Sequence, residues 1–182
     1  MNPEEKIAVD AILKAAGVVE QPYCYYRHID LDRNGRLHSL DLSRSIQLTT
    51  LSPEIGQLSQ LTTLSLSYCK GLTALPPEIG QLSELTELKL SHCEQLTTLL
   101  PEIGQLSKLT QLNLSGCENL MTLPPEIAKL TQVTDLVLYD CKRLMMLPPG
   151  IGQLAQLTQL DLRCCIELAT LPPEIGQLSK LT

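Results

Sequence analysis

The sequence predicts a right-handed α/β solenoid whose parallel β-sheet lines a concave face. Three observations carry that. The 182-residue chain repeats itself every 24 residues, so that the isoleucine of PPEIG and its variants recurs at Ile55, Ile79, Ile103, Ile127, Ile151 and Ile175. A cysteine recurs at the same interval, at Cys69, Cys93, Cys117, Cys141 and Cys165. Each unit opens L-x-x-L-x-L-x-x-C, as at Leu85, Leu88, Leu90 and Cys93, with the alternation of a half-buried strand at its centre. Fixed self-similarity at such a period means stacked units that share one continuous core. One elongated domain suffices, with residues 1–36 as an N-terminal capping helix and hairpin and residues 37–182 as about six repeats, the last truncated.

Taken in order, residues 3–16 predict a short helix. Asn2 suits the N-cap, Pro3 the first turn, and Glu4 and Glu5 the positive end of the helix dipole. Ile7, Ala8, Ala11, Ile12 and Ala15 share one face at i, i+4 spacing, and Gly17 is the C-terminal stop. Such a helix would cover the open first end of the solenoid. Tyr23, Cys24, Tyr25 and Tyr26 follow. Then two alternating runs flank Asn34-Gly35, which predicts a hairpin between strands near 28–32 and 37–42, with both turn residues at positive φ.

The hairpin stretch also matches the opening of a calcium-binding EF-hand loop, at Asp30, Asp32, Asn34 and Gly35, with Asp41 at the twelfth position. That position calls for a bidentate Glu and for a helix to follow. Instead Leu37, Leu40 and Leu42 fall in register with the repeat leucines. The hairpin is therefore the preferred reading, and no metal site is expected.

Beyond each ladder cysteine the unit continues x-x-L-x-x-L, as at Leu96 and Leu99, into PPEIGQLS. Paired prolines forbid a ladder strand there, so the outer face should be extended turns or single helical turns. Ile79 and Leu82 would point inward from it. Glu54, Glu78, Glu102, Glu126 and Glu174 read as solvated outer residues.

Composition narrows the function classes. There is no Trp or Phe, so the leucines must supply the core volume. The net charge is −6 and there is no basic run, which leaves nucleic acid and anionic membrane as poor partners. The N-terminus carries glutamates where a secretory signal would be cationic, and no window approaches the ~18 apolar residues of a membrane span. Seven cysteines, five of them on the repeat, do not form a disulfide framework; a cytoplasmic, reducing location with free thiols is expected.

The L-x-x-L-x-L-x-x-C blocks at 24-residue spacing resemble the leucine-rich repeat family across residues 37–182. With L-P-P-E-I-G, the cysteine variant resembles the intracellular repeats of plant disease-resistance proteins and ROCO-type proteins. The helix and NGRLHSLDLS resemble the N-terminal cap of plant-type repeats. The resemblance implies a horseshoe and a non-catalytic binding domain; it carries over neither a GTPase nor a nucleotide-binding module. Departures are Ser45 for the first ladder cysteine, Ser52 and Leu100 for prolines, Val133 for leucine and Ala128-Lys129 for Gly-Gln.

Function in such a solenoid should lie on the variable positions of the strands. The middle of the sheet is bland, rich in Ser, Thr, Asn and Gln. Two clusters are not: Tyr68, Glu87, Lys89 and His92; and Asp135, Tyr139, Asp140, Asp161 and Arg163. Tyr and Arg are interface-anchoring types, so these residues are the candidate site for a protein or peptide ligand. The ladder cysteines should be buried structural thiols, satisfying backbone groups between coils. Cys164, one residue before the ladder, should face solvent and be the most reactive thiol. No set of residues reads as catalytic and no cofactor is expected. The alternative function is self-association of an uncapped end near Leu171–Thr182 with another copy.

Overall fold

The computed structural model describes residues 1–17 and 29–182; Tyr23, Cys24, Tyr25 and Tyr26 lie outside them. Helix α1 (Pro3–Ala15) opens with a capping box. The Asn2 side chain accepts the Glu5 N–H at 2.7 Å, and Glu5 Oε2 accepts the Asn2 N–H at 3.0 Å. Gly17 stops the helix at φ 70°. The buried face is Ala8, Val9, Ile12, Leu13 and Ala16, whereas Ile7 is exposed and Ala11 and Ala15 are not in the core. The predicted face is thus corrected by about one position. Turning Val9 and Leu13 inward hides more apolar area than Ile7 and two alanines would.

Strands β1 (Ile29–Leu31) and β2 (Leu37–Asp41) pair antiparallel. The hairpin forms where the sequence placed it, but its turn is a different one. Only Gly35 has positive φ, at 72°. The Gly35 N–H donates to Asp32 O, and Asp32 Oδ1 accepts the N–H groups of Asn34 and Arg36. This is a turn closed by an acidic side chain and followed by one left-handed glycine. Those backbone hydrogen bonds hold the Asp32 carboxyl below its usual range. Strand β2 occupies the place where an EF-hand requires its second helix.

Five further strands follow at intervals of 24 residues: β3 (Thr63–Ser65), β4 (Glu87–Lys89), β5 (Gln111–Asn113), β6 (Asp135–Val137) and β7 (Gln159–Asp161). The sheet order is β1 to β7 in sequence, and β2 to β7 are parallel. Register is strict: Leu64, Leu88, Leu112 and Leu136 lie side by side and are fully buried. On the outer side each PEIGQ-type segment is one short 3₁₀ helix, such as Pro77–Gln81 and Pro101–Gln105. Ile79 and Leu82 point inward and are buried.

The outer glutamates depart from expectation. All are partly covered, and Glu78 and Glu174 each hold one carboxylate oxygen out of solvent without a hydrogen-bond partner among the described residues. Lying one residue into a 3₁₀ turn folds the side chain against the neighbouring coil rather than out into water.

The chain is therefore a stack in which one residue's counterpart in the next coil is its nearest neighbour. Strand alternation makes a direct prediction. Leu112→Ala should lower unfolding free energy by about 2–5 kcal/mol in a urea titration, whereas Gln111→Ala on the opposite face of β5 should change it by under about 0.5 kcal/mol. Equal effects at the two sites would contradict the assigned faces.

Candidate functional site

The exposed positions of β2 to β7 form rows across the sheet. One row is Glu87, Gln111 and Asp135; the next is Lys89, Asn113 and Val137. Within the second row Asp41 and Asn113, with Asp161 further along, share a local task. Each accepts through Oδ1 the N–H two residues on, at Ser43, Ser115 and Arg163. These side chains end the strand by turning the backbone. The sequence pattern Asx-x-Ser or Asx-x-Arg held that signal, but it reads equally as a surface residue.

The edge row, one residue before each ladder cysteine, has a property that periodicity does not reveal. Arg44, Tyr68, His92, Gly116, Asp140 and Cys164 all adopt left-handed backbone, with φ between 57° and 70°. Left-handed φ costs a residue with a Cβ about 1–2 kcal/mol. In the first five of these it persists because the N–H bonds a carbonyl of the next coil. Tyr68 donates to Ser91 O at 2.7 Å, His92 to Ser115 O at 2.7 Å and Asp140 to Arg163 O at 2.9 Å. Gly116 and Asp140, types that tolerate this conformation, were the available hint; Tyr, Arg and Cys masked it.

The bend lays the edge side chains along the sheet margin, one over another. The Tyr68 and His92 rings stack with centroids 4.5 Å apart and planes within 15°. The Arg44 guanidinium lies 5.7 Å from the Tyr68 centroid. On its other side His92 lies over Gly116, where a Cβ would fall 2.5 Å from His92 Nδ1.

The predicted clusters therefore rearrange. Tyr68 and His92 form the stack, while Glu87 and Lys89 form a separate ion pair at 2.9 Å on β4. In the second cluster Arg163 grips Asp161 through Nε at 2.9 Å and Nη2 at 2.7 Å, and lies 5.5 Å from the Tyr139 ring centroid. That guanidinium holds the Asp161 carboxyl below its usual range. Asp140 sits 3.8 Å from Lys142, which pairs more closely with Glu118. Tyr139 is pushed up, first through the side chain of Cys164 and then by the Asp140 carboxylate. Asp135 stands apart, on β6. It lines a shallow recess of about 140 Å³ with Glu87, Lys89, Gln111, Asn113 and Val137, at the centre of the sheet where the sequence reads as bland.

Beneath this face lie two ladders. The thiols of Cys69, Cys93, Cys117, Cys141 and Cys165 donate to the carbonyls of Leu42, Leu66, Leu90, Leu114 and Leu138 at 3.1–3.2 Å. All five are free and buried, and burial pushes the Cys93 and Cys141 thiols up to about 12. They are protonated donors, not nucleophiles. Cys164 is exposed. The second ladder is threonine: Thr86, Thr110 and Thr158 each donate a hydroxyl to the carbonyl of the threonine one coil before, at 3.0–3.1 Å, while the Thr134 hydroxyl turns to the Asp135 carboxylate beside it. Its 24-residue period is plain in the sequence, but Thr in a variable slot passes for surface decoration.

Comparison with known proteins places this architecture. The family described as Leucine rich repeat matches residues 59–121, and Zer-1-like, Leucine-rich repeats matches residues 100–170. A leucine-rich repeat protein of Leptospira interrogans is 35% identical with a TM-score of 0.60, over 80% of this chain and 47% of its own. The leucine-rich repeat domain of the type III effector XopL is 30% identical with a TM-score of 0.53, over 74% of this chain and 56% of its own. The chain thus spans about half the length of these two proteins. The Arabidopsis receptor kinase HAESA, solved with the peptide hormone IDA and the co-receptor SERK1, is 21% identical with a TM-score of 0.55, over 100% of this chain and 37% of its own; it shares the fold. No curated protein matches. With the repeat register and the fold, these findings make the chain a leucine-rich repeat protein.

Because the His92 ring rests on Gly116, Gly116→Ala should displace the ring and open the Tyr68 stack. The cost expected is about 1–2 kcal/mol of stability from the left-handed backbone alone. Loss of the ring-current shifts between Tyr68 and His92 in proton NMR would report the displacement; unchanged shifts would contradict the packing.

Proposed function

We propose that the chain is a non-catalytic recognition module that binds a protein or peptide through the concave face. The observation that carries this reading is the pair of aromatic–cationic stacks along the sheet margin. Tyr68, stacked on His92 under Arg44, and Tyr139 under Arg163 present exposed aromatic–cationic surface from a fixed backbone. Tyr and Arg dominate the energetics of protein interfaces, and rings held in place before binding lose little entropy on contact. Six parallel strands at ~4.8 Å span roughly 24 Å, enough for an extended peptide or one face of a small domain. Membership in a leucine-rich repeat family supports a binding role of this class. A reducing, cytoplasmic location suits the free thiol ladder.

A second reading, association between copies, is favoured by the exposed apolar side chains of Met145, Met146, Ile166 and Leu171. A clean monomer by light scattering at high concentration would discard it.

The test compares affinity capture by the wild-type chain with capture by the triple variant Tyr68→Asn, Lys89→Gln, Asp161→Asn. Asparagine tolerates left-handed backbone at position 68 and preserves the turn acceptor at 161. The variant should melt within a few degrees of wild type, each change being at an exposed or half-buried site. It should lose the captured partner. Identical capture by both chains would overturn the assignment of these residues.

A further inference from the structure

We infer that the recess at the centre of the concave sheet is a subsite for one basic side chain, lysine or arginine, of an extended peptide segment. This rests on the recognition reading and specifies its ligand.

The recess lies where β4, β5 and β6 run side by side. Its walls are two polar rows, Glu87–Gln111–Asp135 and Lys89–Asn113–Val137. It holds about 140 Å³, room for the head group of a long side chain but not for a second strand. Three features set the sign of that head group. Lys89 is already committed, its Nζ 2.9 Å from Glu87 Oε1. Asp135 has no cationic partner among the described residues; its Oδ2 accepts the hydroxyl of its neighbour Thr134 at 2.5 Å. Asn113 Oδ1 is likewise occupied by Ser115. The recess therefore carries one internal ion pair and one carboxylate that lacks a counter-charge.

A cation entering between Glu87 and Asp135 meets a carboxylate at each end of the first row, while the one cation of the second, Lys89, is held by Glu87. An anion would have to pull Lys89 from Glu87 and then sit beside Asp135, and like-charge juxtaposition of that kind is unfavourable. Val137, half-buried at one end, gives an aliphatic wall for the methylene stem of lysine or arginine, whose charged head then reaches the carboxylates. The net charge of −6 favours approach of a cationic segment at longer range. The rest of the segment would lie across the strands towards the Tyr68–His92 stack.

Short random peptides displayed on phage, selected on the wild-type chain and then synthesised, provide the probe. Selected peptides should carry Lys or Arg at one fixed position. Replacing that residue by Gln should weaken binding about tenfold on wild type, and hardly at all on the Asp135→Asn variant, since a paired charge lost on one side leaves nothing to lose on the other. Matching melting curves for the two chains would show that the variant is folded, and the peptide-side Gln replacement stands whether or not it is. Peptides that bind, are lost on Tyr68→Asn, and show neither a basic position nor sensitivity to Asp135→Asn would overturn the subsite while leaving the concave face as the recognition surface. Peptides indifferent to both substitutions would overturn both.

Discussion

Everything in this protein depends on a 24-residue pitch that sets each residue beside its counterpart in the next coil. The strands β2 to β7 pair with no change of register. Hydrogen bonds between coils then repeat at every level of the cross-section, through backbone in the sheet, thiols under its far end and threonine hydroxyls at its start. Each coil is too thin to bury its own leucines. Stacking supplies the missing wall, and the ladders fix the stacking to one register, because a slipped coil would leave buried carbonyls unpaired. Helix α1 offers its Ala8, Val9, Ile12 and Leu13 face to the same core.

Strict stacking also determines what the concave surface can be. Side chains one coil apart meet as stacked rows rather than scattered patches. The left-handed residue at the end of each strand from β2 to β6 bonds its N–H to the next coil while its side chain joins the margin. This is why Arg44, Tyr68 and His92 form a pile closed by Gly116, and why Arg163 reaches both Asp161 and Tyr139. Lys89 is neutralised by Glu87 and Arg163 by Asp161, each two residues away along the chain. Asp135, by contrast, has no cationic partner among the described residues.

The architecture was legible because its signal is repetition, which no local preference can mimic. The position of Leu88 recurs six times and that of Cys93 five. The α1 face was less legible, since Ile7 and Ile12 suggested one stripe while the core took Val9 and Leu13. The Asn34-Gly35 turn was placed correctly, but its geometry was decided by Asp32, whose carboxylate serves two N–H groups. The candidate face was legible as a set of positions and not as a set of contacts. Sequence put Tyr68, Glu87, Lys89 and His92 together by proximity, whereas side-chain direction divides them into a stack and an ion pair. The central recess was passed over because Gln111 and Asn113 are unremarkable singly, and its character comes from what Lys89 and Asp135 do with their charges.

The most direct test of the stacking account is stability against alkaline pH, with a variant carrying Ser at all five ladder positions as control. Burial holds the Cys93 and Cys141 thiols up to about 12, against about 8.5 for a cysteine in an unfolded chain. With the folded pKa raised, the unfolded state releases protons first. The thiols' contribution is complete below about pH 8.5 and falls as pH rises towards about 12. Denaturant unfolding across that window should show wild-type stability dropping steeply relative to the serine variant, whose hydroxyls do not titrate. Parallel decline of the two proteins would contradict the buried, proton-donating ladder on which the account of the solenoid rests.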